Sequence, residues 1–233
     1  MYEQHFVSVG NACPSAFAIK LANLRRASYP FDWIYVDPVM VKAIIDNDFQ
    51  DYLNRDMYFH HGKGCNKKKK KNKPCGHRVY GTSLFSHHCP LCFEDHYDYL
   101  KRCVSRFREV IKRRDVEIVF VYMNIWGAKQ SDIHDTIQML TETLEAHVDA
   151  TWKLVILECY QGCQRRTCEY VSLTERVDHY CIHAPSVNGG VRYKDPIDND
   201  MIRYILRSYS KRKDVAEEAV HESRTLWPYK NWK

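Results

Sequence analysis

Nowhere does the chain carry an apolar run near the ~18 residues that a membrane-spanning helix needs, so membrane insertion is not expected. Its start, Met1-Tyr2-Glu3-Gln4-His5-Phe6, has no basic stretch followed by an apolar segment, so a secretory signal is not expected either. These two absences point to a cytoplasmic protein. In a reducing compartment the ten cysteines are expected as thiols, metal ligands or a nucleophile rather than as disulfides. A large charge excess is also missing. The formal net charge is +6, and the run Lys67–Lys71 supplies most of it. With that run set aside the chain is nearly balanced, so a nucleic-acid partner is not expected. No internal repeat is visible, which excludes solenoid architectures.

At 233 residues and 45% hydrophobic content, the chain can bury a substantial core without staples. Its pattern predicts one α/β domain over 1–210, an exposed lysine-rich insertion at about 60–78, and a charged C-terminal tail over 211–233. The nearly continuous apolar runs Val116–Met123 and Trp152–Cys159 read as strands buried on both faces. Between them, Ile133, Ile137, Leu140, Leu144 and Val148 fall on one helical face. Strand, helix, strand at this length predicts a βαβ unit in a mostly parallel central sheet, with helices on both faces. Weaker strands are expected near Tyr170–Leu173 and His179–Ile182, followed by a helix carrying Ile202, Ile205, Leu206 and Tyr209. Asp37-Pro38 starts a helix whose predicted stripe is Val41, Ile45, Phe49 and Leu53.

The chemistry-bearing residues begin at Cys13. The strand His5–Val9 ends at Gly10, a short turn follows, and a helix opens at Cys13-Pro14. A cysteine there faces unpaired N–H groups and the positive end of the helix dipole, which favour thiolate. The competing reading is a small buried residue at a strand–helix junction. A cysteine nucleophile needs a base. His87 and His88 end a predicted strand and are the candidates, unless they are surface polarity or metal ligands. Asp32, between Phe31 and Trp33, needs a partner: it caps a helix, pairs with Arg25 or Arg26, or orients a histidine. A second constellation, Cys65, Cys75, His77, Cys89 and Cys92, includes the C-x2-C pair Cys89–Cys92 and is a candidate zinc site. A second close pair is missing from it.

The order Val7-Ser8-Val9-Gly10, Cys13, Ala16, Arg25-Arg26, Ser28-Tyr29-Pro30-Phe31-Asp32-Trp33 resembles a family labelled putative papain-like cysteine peptidases. Phe85-Ser86-His87-His88, Tyr99, Arg102 and Arg106-Phe107 resemble its second block. The resemblance runs from about residue 5 to 125. It implies a nucleophile at Cys13, a base at His87 with His88 the second candidate, a place for Asp32 in the site, and a peptide or other amide substrate. No glutamine stands six residues before Cys13, so Asn11 or backbone N–H groups would have to form an oxyanion hole. The parallel βαβ pattern also suggests a three-layer sheet rather than a papain fold.

Three functions are therefore open. The first is a cysteine-dependent hydrolase or acyl-transfer enzyme that needs no cofactor. The second is a non-catalytic ligand-binding protein or transferase that holds an anionic group at the 10–13 helix N-terminus. The third is a zinc-stapled interaction module.

Overall fold

The computed structural model describes residues 3–60, 65, 73–126 and 133–211. A five-stranded sheet runs in the order β1-β5-β6-β8-β7, with β1 at Glu3–Ser8, β5 at Val116–Asn124, β6 at Thr151–Gln161, β7 at Thr167–Ser172 and β8 at Val177–Ala184. The pairs β1/β5, β5/β6 and β6/β8 are parallel, and only β7 on β8 is antiparallel. The expected neighbours are in register, with Phe120 beside Leu154 and Tyr122 beside Ile156. Buried on both faces, these strands shed the alternation of a half-solvated strand, which is why they read as unbroken apolar runs.

Each face of the sheet has its own core. On one, Phe6, Val119, Val121, Val155, Leu157 and Ile182 meet α1 (Cys13–Leu21) and α5 (Pro196–Ser208). On the other, Val7, Ile118, Phe120, Leu154 and Ile156 meet α2 (Pro38–Asp46), α3 (Glu94–Lys112) and α4 (Ile133–His147). The mostly parallel sheet with helices on both faces is therefore as expected from the sequence. Asp37 caps α2 by accepting the Met40 N–H at 2.8 Å. That helix is shorter than its apolar stripe predicts. It stops at Asp46, and Phe49 reaches the core from a turn in which Asp48 and Phe49 adopt positive φ. An apolar spacing of four persists because burial, rather than helix, selects it.

A small antiparallel sheet, β2-β3-β4, packs beside the main one, with β2 at Tyr58–Phe59, β3 at Cys75–His77 and β4 at Gly81–Phe85. This revises the predicted exposed insertion at 60–78. Its C-terminal part forms β3, in which Cys75 and His77 are fully buried. The lysine run Lys67–Lys71 lies outside the described residues, as does the predicted tail beyond Lys211. All ten cysteines are free thiols. Among the described residues, no helix is long and apolar enough to cross a membrane.

Candidate active site

Cys13 stands just past the carboxyl end of β1, the edge at which open parallel sheets place their ligands. Its turn is held from beneath by two buried hydroxyls. Ser8 and Ser15 meet at 2.7 Å, and Ser15 Oγ also lies 2.6 Å from the Gly10 carbonyl and 3.0 Å from that of Ala12. Gly10 has φ +113, and a Cβ there would stand 3.0 Å from the Val36 carbonyl, so a side chain is excluded on both counts. The turn is stitched to the sheet as well. Asn11 N–H donates to Met123, and Val36 N–H donates to Asn11. Asn11 is buried, and its side chain lies near enough to Tyr122 to pull that phenol's pKa down against the effect of burial.

His87 brings its Nε2 to 3.1 Å from Cys13 Sγ, although the two residues are 74 apart in the chain. His87 follows β4, whose end is tied to the segment after Trp33 by the Tyr35 N–H donating to the Leu84 carbonyl. The Trp33 ring meets the His87 ring edge to face, with centroids 6.0 Å apart. The Arg25 guanidinium lies over the Trp33 ring, 5.4 Å from its centroid, and donates to Asp32 at 3.1 Å. Asp32 also accepts the Tyr29 N–H. Of the three roles open to Asp32 in the sequence, pairing with Arg25 is the one present. Its reach toward the imidazole runs through Arg25 and Trp33. Burial pushes the Asp32 carboxyl up to about 6, against the opposing pull of Arg25 and the Tyr29 N–H.

His88 points elsewhere. It stacks on Tyr99 with ring centroids 4.6 Å apart and meets His96 edge-on. Burial, then the nearby imidazoles of His96 and His87, lowers its pKa to about 4. The helix terminus alone suggested a depressed Cys13 pKa, but burial pushes this thiol up, and its own backbone N–H only partly offsets that. Cys13 is 9% exposed, whereas His87 is exposed, so the pair opens to solvent on the imidazole side. Burial thus disfavours the thiolate at Cys13, against the pull of the helix N-terminus.

The second constellation assembles differently from its sequence prediction. Cys65, Cys89 and Cys92 converge, and the histidine among them is His60. His77 instead bonds the Asp51 carbonyl at 2.8 Å and stacks on Tyr80. Cys75 packs its thiol against Cys89. His60 was not singled out because it precedes the cysteines by an irregular interval. Trp33 and the Ser8–Ser15 pair were also missed as parts of the site, whereas Arg25 was one of two arginines offered as partners of Asp32. Trp33 and Arg25 do lie in the segments that carry the family resemblance.

A depression of about 510 Å³, lined by Leu21, Arg192, Tyr193 and Asn199, lies on the α1 and α5 side and includes neither Cys13 nor His87. Closer to the pair, Tyr35 and Trp126 stand 5.3 Å apart, each about two-fifths exposed, on the segments that flank Asn11.

No curated protein and no solved structure matches the chain. One family model does, over residues 4–162, a span that holds Cys13, Asp32, His87 and the strands β5 and β6. On that match the chain belongs to the family described as putative papain-like cysteine peptidase.

Proposed function

We propose that the chain is a cysteine-dependent hydrolase of peptide or related amide bonds, with Cys13 as nucleophile and His87 as base. The observation that carries the proposal is the 3.1 Å contact between Cys13 Sγ and His87 Nε2. It has nucleophile–base geometry, and it joins residues from separate elements that packing alone would not require to meet.

In this mechanism the Cys13 proton passes to His87 Nε2 as the sulfur attacks the substrate carbonyl carbon. The carbonyl π electrons move to oxygen, where backbone N–H groups at the start of α1 stabilise the negative charge. Ala12 provides no side-chain cap to this helix, and Asn11 is buried beside Tyr122, so the backbone N–H groups of the helix start suit the role better than the Asn11 side chain. Collapse of the intermediate breaks the C–N bond, and the amine leaves with the proton from His87. Water then attacks the thioester with His87 again as base, which releases the acid and restores the thiol. Because burial disfavours the free thiolate, the proton transfer to His87 accompanies the attack. Tyr35 and Trp126 offer an apolar surface for a substrate side chain. The anion-binding alternative has only the helix terminus in its favour.

A panel of peptidyl and isopeptidyl aminomethylcoumarin amides tests the proposal. Turnover should disappear in Cys13→Ala and fall by about 10²–10⁴-fold in His87→Ala. His88→Ala should remain within a few-fold of the parent. Intact-mass analysis with an electrophilic peptide should place the adduct on Cys13. Turnover that survives Cys13→Ala, or an adduct at another cysteine, rejects the assignment.

A further inference from the structure

We propose that His60, Cys65, Cys89 and Cys92 bind one structural zinc ion, which clamps the loop carrying His87 to the small sheet. Their four ligand atoms lie within 4.8 Å of one another. His60 Nε2 is 3.1 Å from Cys92 Sγ, 3.3 Å from Cys89 Sγ and 4.0 Å from Cys65 Sγ. Nitrogen and sulfur bound to one tetrahedral zinc at ordinary bond lengths stand about 3.6 Å apart, within this range. Hydrogen bonding alone does not account for the convergence. An imidazole nitrogen has one lone pair and satisfies one thiol, and although Cys65 Sγ also reaches the Lys73 carbonyl at 3.8 Å, at most one of the three sulfurs gathered at Nε2 can donate to it. A shared cation satisfies all four atoms at once.

The surroundings suit thiolate and imidazole ligands. His60 Nδ1 lies 3.2 Å from the Pro74 carbonyl. Donation to that oxygen places the ring proton on Nδ1 and leaves the Nε2 lone pair for a metal, the usual orienting contact of a zinc-bound histidine. The Lys73 N–H donates to Cys65 Sγ at 3.2 Å, as amides do to metal thiolates. Cys89 and Cys92 share a tight turn in which the Cys92 N–H donates to the Cys89 carbonyl, and His96 Nδ1 accepts the Cys89 N–H at 2.9 Å. Three cysteines and one histidine form a closed set with no open position, which suits a structural rather than a catalytic ion.

The ligands come from three places: the residue after β2, Cys65, and the loop between β4 and α3. That loop begins at Ser86-His87-His88, so the ion would fix a point two residues from the proposed base. Zinc binding itself stands without the hydrolase reading, since no ligand belongs to the Cys13–His87 pair. A second group, Glu158, His179 and Cys181, is less suited, because Tyr160 and His179 already occupy the Glu158 carboxylate.

The test uses the full chain, purified under reducing conditions in medium containing zinc. Elemental analysis should find about one zinc per chain. Cobalt(II) added to the chelator-stripped chain should give the intense visible and sulfur charge-transfer bands of a tetrahedral thiolate site. His60→Ala and Cys92→Ser should each weaken zinc binding by at least tenfold, while Cys13→Ala and Cys181→Ala leave it unchanged. Where a ligand variant does not fold, N-ethylmaleimide mapping of the parent chain decides. Zinc should shield Cys65 and Cys92 and leave Cys163 reactive. Absence of zinc together with absence of a cobalt spectrum, identical labelling with and without zinc, or loss of metal in Cys181→Ala would each overturn the proposal.

Discussion

Whether a cysteine in a site like this one is a nucleophile turns on what surrounds its sulfur. Cys13 receives an imidazole at 3.1 Å while burial raises its thiol pKa, so reactivity depends on His87 accepting the proton. A strand–turn–helix pattern was enough to single out Cys13. It could not choose between His87 and His88, because adjacent residues differ by one step of backbone direction, and only packing shows which ring meets the sulfur and which lies on Tyr99. Asp32 leads to a prediction at the same scale. Its carboxyl is 4% exposed and has a folded pKa of about 6, above the unfolded value of 3.8. The folded state therefore holds the proton more tightly. The stability this confers is fully present below pH 3.8 and is lost as the pH rises through 6. Relative to Asp32→Asn, the parent should gain on the order of 2–3 kcal/mol between pH 7 and pH 4. Urea unfolding of both chains at the two pH values measures this, and a pH-independent difference would contradict it.

Among the elements, the turn from Gly10 to Cys13 carries the most constraint. Ser15 belongs to the first turn of α1, and its hydroxyl reaches Ser8 on β1 and the carbonyl of Gly10. Ser15→Ala leaves these buried groups without that partner, at a cost of about 1–3 kcal/mol. Because the same hydroxyl holds the start of the helix, turnover should fall along with the melting temperature. A variant that is less stable but fully active would separate the hydroxyls from Cys13 placement. Other elements show what residue patterns miss. The α2 stripe extended to Phe49 and Leu53 because both pack inward, although the backbone leaves the helix at Asp46. Strand β3 was hidden by its sequence, since Cys75-Gly76-His77 has no β-branched or long apolar residue. It is a strand because Tyr58–Phe59 and Gly81–Phe85 pair with it or pack around it. Gly76 is suited to that place, for a Cβ there would lie 2.8 Å from the Phe59 ring and from the Thr82 carbonyl.

For the molecule as a whole, the site depends on the core beneath it. Phe31 sits inside the segment that holds Asp32 and Trp33, and it packs on Phe49 and Phe107 with ring centroids 5.8 and 5.9 Å away. Phe107 is fully buried on α3, so Phe107→Ala should cost about 3–5 kcal/mol. It should also loosen the support behind His87. Thermal unfolding and turnover below the melting point read the two effects, and full activity with lowered stability would show that the segment keeps its shape without that ring. The mostly parallel sheet, the pairing of its two apolar strands and the position of Cys13 at a strand end were set by the sequence itself, because burial on two faces and helix initiation leave local signatures. The family was legible in the string from Ser28 to Trp33 for the same reason: it is contiguous. The identity of the histidine at Cys13, the Arg25 partner of Asp32, and the replacement of His77 by His60 were decided only by the tertiary structure. Each joins side chains through the packing of separate elements, and no local periodicity records which of several similar residues will meet.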